Sequence, residues 1–292
     1  MTFTTRFAPS PTGPLHLGHA YSALLAHDLA IQAGGTFLLR IEDIDLSRAR
    51  PEWEAMIFND LAWLGLAWPE PVMRQSERIG VYQAVLDDLW ARGLLYPCTC
   101  SRRDIQSAAA APQEGAPMFG PDGLIYPGTC RPTEAAANAL SRRNRPTDLP
   151  LRLNMTRATA AVGEEVGFTE KGQGPEGEAG EIRVTAWQLT HGIGDIVLAR
   201  RDMGTSYHLS VVVDDAAQAI TRVVRGQDLF EATAIHVLLQ ALLDLPHPDY
   251  HHHRLIRDPA GKRLAKRDDA RAIARFREDG ASPSDIRAMV GL

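Results

Sequence analysis

The sequence predicts an α/β fold: a parallel sheet covered by helices and interrupted by an insertion. Three observations carry this. Short apolar runs of strand length alternate with amphipathic helical segments. A stiff turn rich in Pro and Gly joins the first strand to the first helix. Polar and charged residues end the apolar runs, where open α/β sheets bind ligands.

The first strand is read over Thr4 to Ala8, which alternates and includes β-formers. Pro9, Pro11, Pro14 and Gly13 then forbid regular structure. From Leu17 apolar residues recur at Tyr21, Leu24, Leu25 and Leu29, and Gly34-Gly35 stops that helix. A helix start offers backbone N–H groups and a positive dipole end to a phosphate. His16 and His19 sit there as possible donors, and small Gly18 would admit a nucleotide close to the backbone. The bland alternative is a strand–helix turn with two solvated histidines.

Phe37–Ile41 reads as a buried parallel strand ending in Glu42-Asp43-Ile44-Asp45, with Arg40 and Glu42 on one face. A helix spans Pro51 to Leu64, with Trp53, Met56, Ile57, Leu61 and Leu64 as core. Ser76 is expected to cap the next helix, which Gly93 closes. Ala108 to Gly123 reads as a mobile loop, and Gly163 to Gly180 as an exposed Gly/Glu-rich excursion. The sheet is expected to resume at Asp195–Arg200. Tyr207–Asp215 opens a helix or strand with acids at its end, and Val223–Asp228 is a strand ending in a polar turn. Glu231–Leu243 reads as an amphipathic helix, and Ala270–Arg277 and Pro283–Val290 as two short ones. The expected organisation is a nucleotide-binding first half over 1–95 and an insertion over 96–193. The second half follows over 194–246, then a basic loop and short helices over 247–292.

Composition restricts the function classes. The chain has 292 residues, 45% hydrophobic and 23% charged, as in water-soluble globular proteins. No signal peptide or membrane-length apolar run is read, so the expected compartment is the cytoplasm. Net charge is -5, which excludes a uniformly basic nucleic-acid surface. Arg254–Arg277 is different, with nine Lys/Arg against three Asp/Glu. Such a block suits phosphates or an RNA backbone, or is a solvated face.

All three cysteines, Cys98, Cys100 and Cys130, fall within 33 residues. In a reducing compartment, close thiols more often bind metal than form disulfides. A tetrahedral zinc needs a fourth ligand, for which Tyr126 or a water is available. Three free thiols are the alternative.

The stretch from Arg6 to His19 resembles the first signature of class I aminoacyl-tRNA synthetases, here His16-Leu17-Gly18-His19. Arg6, Ala8, Ser10 and Thr12-Gly13 point to the glutamyl branch. Lys262–Arg267 resembles the second signature, with Lys266 in register, but Arg263 and Ala265 depart from its common lysine and serine. With Arg40–Asp45, the cysteines and Tyr126, Tyr207 before the valine run, and Val224–Asp228, the resemblance covers nearly the whole chain. It is to the short paralogues of the glutamyl-tRNA synthetase catalytic half that act on queuosine in tRNA(Asp). No helical anticodon-binding domain is read after Leu292.

The resemblance implies a Rossmann-like catalytic domain split by a zinc-containing insertion, with a small helical C-terminal region. It implies activation of glutamate by ATP with Mg²⁺, then transfer to queuosine in the anticodon loop of tRNA(Asp). Arg6, Phe7, Ala8, Pro9, Ser10, Glu42, Tyr207 and Arg225 would hold glutamate. His16, Gly18, His19 and Lys266 would serve ATP, with His16, His19 and Lys266 catalytic. Cys98, Cys100, Tyr126 and Cys130 would hold one structural zinc. A monomer without membrane contact is expected. The rival readings are a minimal enzyme charging tRNA(Glu), a non-catalytic RNA-binding paralogue, and an unrelated nucleotidyltransferase.

Overall fold

The computed structural model describes residues 2–109, 119–257 and 271–292. Lys266, Arg263 and Ala265 lie outside the described residues, as do residues 110–118 of the predicted Ala108–Gly123 loop. The first half follows the expected order. β1 (Thr4–Phe7), α1 (Leu17–Gln32), β2 (Thr36–Ile41), α2 (Pro51–Trp63) and β3 (Met73–Arg74) form a parallel three-stranded unit. The faces of α1 differ from those its large residues suggest. Its most buried positions include Ala20, Ala23, Ala26 and Ala30, while Tyr21, Leu25 and Leu29 are only partly buried. Small residues let this helix lie close to the sheet. Gly34 takes φ +60, and a Cβ on Gly35 would fall 2.1 Å from the Phe3 carbonyl oxygen. The two glycines thus end the helix for two reasons, one conformational and one steric.

Ser76 does not cap α3 (Ile79–Ala91). It sits in a preceding 3₁₀ turn, where its N–H and hydroxyl donate to the two Asp43 oxygens at 2.8 and 2.6 Å. The chain then runs through β4 (Leu95–Pro97), α4 (Arg102–Ala109), a hairpin of β5 (Phe119–Gly120) and β6 (Gly123–Leu124), and α5 (Glu134–Leu140). β7 (Leu151–Leu153) and α6 (Met155–Val162) follow.

The predicted excursion at Gly163–Gly180 is corrected. It contains β8 (Glu165–Glu170), with Val166, Phe168 and Glu170 buried, and leads into β9 (Gly180–Thr185). Apolar side chains alternate at 166 and 168, a period-2 signal that the flanking glycines obscure. The strand at Asp195–Arg200 is also not a return to the parallel sheet. β10 (Val197–Ala199) pairs antiparallel with β7, which pairs with β4.

Next come α7 (Tyr207–Ala217), β11 (Arg222–Gly226), α8 (Thr233–Leu242) and β12 (Asp249–His253). α8 is buried on nearly every position rather than amphipathic, because it lies between α6, α7 and β8. The sheet order is β11–β12–β8–β9, parallel except for β9. This sheet joins the first through Thr221, whose N–H donates to the Thr4 carbonyl at 3.0 Å while its hydroxyl accepts from the Thr4 N–H at 2.8 Å. The carboxyl ends of β1 and β11 therefore lie side by side. α9 (Ile273–Glu278) and α10 (Pro283–Val290) close the chain, and α10 packs on α1. No helix among the described residues is long and apolar enough to cross a membrane.

One buried acid works against this packing. Asp60 on α2 is 1% exposed, its Oδ2 has no hydrogen-bond partner among the described residues, and Arg277 of α9 stands 3.8 Å from Oδ1. Burial raises its pKa to about 6, against a smaller pull from Arg277. The folded state holds this proton more tightly than the unfolded chain, so its contribution is lost as pH rises through about 6. Asp60→Asn should raise stability at pH 7 by about 1–2 kcal/mol, with the gain fading at pH values near the unfolded pKa. Urea midpoints at the two pH values measure this.

Candidate active site

Between the ends of β1, β2 and β11 lies a cavity of about 330 Å³, lined among others by Arg6, Ala8, His16, Gly18, His19, Glu42, Tyr207 and Arg225. Residues far apart in sequence meet here because parallel strands bring their carboxyl ends to one edge. The Pro-rich turn is pinned over it. The Glu42 N–H donates to the Pro9 carbonyl, and the Arg50 N–H to the Pro11 carbonyl, both at 3.0 Å.

His16 is the N-cap of α1. Its Nδ1 accepts from the Gly18 N–H, and Nδ1 of His19 accepts from the His16 N–H, both at 3.1 Å. In each neutral ring the proton is therefore on Nε2, the atom able to donate to an oxyanion. The rings lie 3.8 Å apart. A Cβ at position 18 would sit 3.0 Å from the His16 ring, so glycine here serves the cap as well as any ligand.

Arg6 and Arg40 converge on Asp215 of α7, a residue the sequence reading did not single out. Arg6 grips it with Nε at 3.0 Å and Nη2 at 3.2 Å, and Arg40 with Nη1 at 2.7 Å. Arg40 also donates to Glu42 at 3.2 Å and Gln218 at 2.9 Å, as the shared face of residues 40 and 42 predicts. Burial disfavours the Asp215 charge, yet the two guanidiniums hold its pKa below the ordinary carboxylate range. For Glu42 burial wins, and its pKa lies above that range despite Arg40 and Arg6. The Tyr207 hydroxyl is pushed up by burial and stays a neutral phenol. The neighbouring Asp214 faces elsewhere, accepting from Arg78, Gln75 and Tyr82 at 2.7 to 2.8 Å.

Arg225 is held differently. Its Nε donates to His252 Nε2 at 3.1 Å and Nη1 to His236 Nδ1 at 3.0 Å, while Nη2 donates to Thr233 Oγ1 and the Leu229 carbonyl at 2.7 and 3.2 Å. No described carboxylate bonds to it. Glu170 accepts from His252 Nδ1 at 2.5 Å and from the His252 N–H at 2.9 Å. His236 reaches His208 at 3.1 Å, and His208 reaches Asp122 at 3.3 Å. Burial keeps both His252 and His236 below the usual imidazole pKa, and Arg225 adds to the effect. Neutral rings are what acceptors from a guanidinium must be. Glu170, His236 and His252 escaped the sequence reading, although the run His251-His252-His253 was a visible signal.

A second cavity, about 900 Å³, adjoins the first and shares Ala8, Glu42, Tyr207 and Leu229 with it. Ser10 and Asp45 line it, and it extends to Tyr126 and Arg152. Pro9 reaches the site only through its carbonyl bond to Glu42. Beside this cavity the cysteine cluster is assembled, its three thiol sulfurs within 4.8 Å of one another. Zinc–sulfur bonds of about 2.3 Å in a tetrahedron need sulfurs about 3.8 Å apart, so the donor set fits a metal of that type. The Tyr126 hydroxyl lies 3.6 Å from the Cys98 sulfur and 3.3 Å from that of Cys100, and accepts from the Cys130 N–H at 2.7 Å. Burial opposes ionisation of Cys130, but hydrogen bonds from Tyr126 and the Thr99 backbone bring its pKa to about 6, so it is a ready thiolate. Asp195 ties the cluster to the small sheet, accepting from Tyr96, from Arg131 and from the Met155 N–H.

The fold is that of a class I tRNA synthetase catalytic domain. The family model "tRNA synthetases class I (E and Q), catalytic domain" matches residues 2–147 and 170–292, and the chain belongs to that family. Within it the chain is similar to the glutamyl-Q tRNA(Asp) synthetase of Rhodobacter capsulatus, 60% identical over 99% of both chains. The protein of that name from Symbiobacterium thermophilum is 41% identical, over 96% of this chain and 83% of its own. Among solved structures, a glutamate tRNA ligase from Elizabethkingia meningosepticum in complex with its amino acid superposes with TM-score 0.75 at 26% identity. This chain spans 61% of that ligase's length.

Removing Asp215 strands two buried guanidiniums. Asp215→Asn should destabilise the fold by about 3–5 kcal/mol, the usual effect of breaking a buried ion pair from one side. Conservative loss of the exposed Asp45–Arg48 pair should cost less than about 1 kcal/mol, and paired denaturation curves compare the two.

Proposed function

We propose that the protein activates glutamate with ATP and transfers the glutamyl group to the queuosine base in the anticodon loop of tRNA(Asp). The observation that carries the first step is the pairing of Glu42 and Arg225 across one small cavity. Glu42 suits an amino acid's ammonium, and an incoming cation would draw its raised pKa back down. Arg225, to which no described carboxylate bonds, suits the side-chain carboxylate. Arg6 has three of its five N–H groups outside its bonds to Asp215, and Tyr207 adds a neutral hydroxyl donor. In this reading Phe7, Ala8, Pro9 and Ser10 shape the pocket wall and its turn.

The α-carboxylate then attacks the α-phosphorus of ATP as the bond to pyrophosphate breaks. The nucleophile is already ionised, so no general base is needed, and positioning with charge stabilisation carries the step. His16 and His19 donate from Nε2, the α1 N-terminus adds its dipole, and Gly18 leaves room above the backbone. Lys266 is assigned to ATP by its place in the second signature. The adenylate's carbonyl is next attacked by the modified base, AMP leaves, and the product is a glutamyl ester. The larger cavity, continuous with the first, is where that base would enter. The names of the relatives support queuosine in tRNA(Asp) over the 3′ end of tRNA(Glu). A single zinc bound by Cys98, Cys100, Cys130 and Tyr126 would cross-link the segments around 96–105 and 126–131, whose own apolar cluster is small. We assign the chain to act as a monomer in the cytoplasm.

Glutamate-dependent ATP–pyrophosphate exchange without RNA should be present. Arg225→Ala should raise KM for glutamate by about 10- to 100-fold, the loss of the guanidinium charge and of the one N–H its internal bonds leave over, with KM for ATP little changed. Equal effects on both substrates would overturn the assignment. Mass spectrometry of the tRNA(Asp) anticodon loop should find the glutamyl adduct only when queuosine is present. Elemental analysis should find one zinc per chain, lost in Cys130→Ser. A metal-free native protein would refute that site.

A further inference from the structure

Neither Trp187 nor His191 has a part in the chemistry above. Trp187 is 64% exposed, an unusual position for the largest apolar side chain. Its indole is stacked on the exposed His191 ring, with centroids 5.0 Å apart and planes 16° from parallel. The pair is held, not loose. His191 Nδ1 donates to the Trp187 carbonyl at 3.1 Å and lies 2.9 Å from the Thr190 hydroxyl, which itself donates to the Ala186 carbonyl at 2.8 Å. These residues begin a π-helical turn, Gln188–Ile193.

The turn ends at the large cavity, which Ile193 lines. Its Gly192 carbonyl packs on Gly120, where a Cβ would approach to 2.5 Å, so it is locked to the β5–β6 hairpin. That hairpin places Asp122 and Leu124 in the cavity wall and Phe119 in solvent, 71% exposed. On the same cavity Arg102 and Arg200 make no ion pair among the described residues. An exposed, immobilised aromatic pair on the turn that ends at this cavity, with arginines on the cavity wall that make no ion pair among the described residues, matches how single-stranded RNA is held: rings stack on bases and guanidiniums meet phosphates. An apolar protein partner would fit these arginines poorly.

We infer that the Trp187–His191 pair is a stacking platform for a loop nucleotide next to the one that enters the large cavity, with Arg102 and Arg200 on the flanking phosphates. This rests on the reading that a loop of RNA is the acceptor. The platform would add affinity for the loop without touching amino-acid activation.

The test uses the full chain, a queuosine-containing tRNA(Asp) anticodon stem-loop, and the variants Trp187→Ala, Trp187→Phe and Arg102→Ala. Trp187→Ala should raise KM for the stem-loop about tenfold, within the range for loss of one base–aromatic stack. Trp187→Phe should restore most of it, and pyrophosphate exchange should stay at the level of the native protein in all three. Arg102→Ala should reduce the salt dependence of binding by about one counterion. Unchanged KM in Trp187→Ala overturns the platform while leaving the proposed chemistry intact. If the native protein shows no exchange, the proposed chemistry fails, and fluorescence anisotropy of the labelled stem-loop still decides the platform: equal affinity for native and Trp187→Ala overturns it. A change in oligomeric state with unchanged RNA affinity marks the surface as a self-contact and overturns it also.

Discussion

The Asp215 carboxylate, clasped by Arg6 and Arg40, is the contact on which the rest of the molecule depends. It joins the ends of β1 and β2 to α7, which lies more than 170 residues farther along the chain. Burying such charges is costly unless they are paired, and here one carboxylate serves both guanidiniums while Glu42 also accepts from Arg40. The result is a rigid floor at the point where the two parallel sheets meet. Asp214, next along the helix, repeats the device toward α3 through Arg78, Gln75 and Tyr82. Adjacent residues on a helix point about 100° apart, so one short acidic pair can anchor two neighbours.

Much of this frame was legible in the sequence. Strand-length apolar runs and the Pro–Gly turn are local features, and local chemistry fixes them, whereas the cap at His16 emerged only with the structure. Arg40 and Glu42 could be placed on one face because strand geometry alternates strictly. The failures share a cause. β8 sets Val166 and Phe168 among glycine and acids, and β12 is mostly histidine, so the polar positions of both are satisfied only by partners far away in the chain. Propensity counts Glu170 and His252 as surface residues, whereas together they form one buried, hydrogen-bonded pair. α8 was misread in the opposite sense, since a helix packed on several sides looks amphipathic when only its strongest stripe is counted. The cysteine cluster lay between, its donors visible and its closeness not.

The two cavities divide the work by depth. The smaller is walled by β-strand ends and by the helix cap, elements that cannot move independently of the sheet. The larger is walled by the β5–β6 hairpin, the π-helical turn and the cysteine region, held mainly through Asp195 and Gly120–Gly192. A rigid pocket suits a small amino acid and a nucleotide, where sub-ångström placement governs rate. A wall made of hairpin and turn suits a nucleic-acid loop, whose bases must be splayed before they can be read.

The way Arg225 is held decides what that pocket can distinguish. Had an acid held it, as Asp215 holds Arg6, its charge would be compensated before any ligand arrived. A glutamate and a glutamine side chain would then differ little in attraction. Two neutral imidazoles, a hydroxyl and a carbonyl orient the guanidinium equally well and leave its charge uncompensated. Glu170 keeps the arrangement neutral at the arginine by taking the His252 Nδ1 proton in a hydrogen bond, which fixes Nε2 as the acceptor. Its negative charge is thereby set one imidazole farther from the cavity. The same logic extends through His236 and His208 to Asp122, on the hairpin that walls the larger cavity. Discrimination by charge in the small pocket thus depends on histidines kept uncharged by burial, and burial there depends on the sheet that Asp215 holds together.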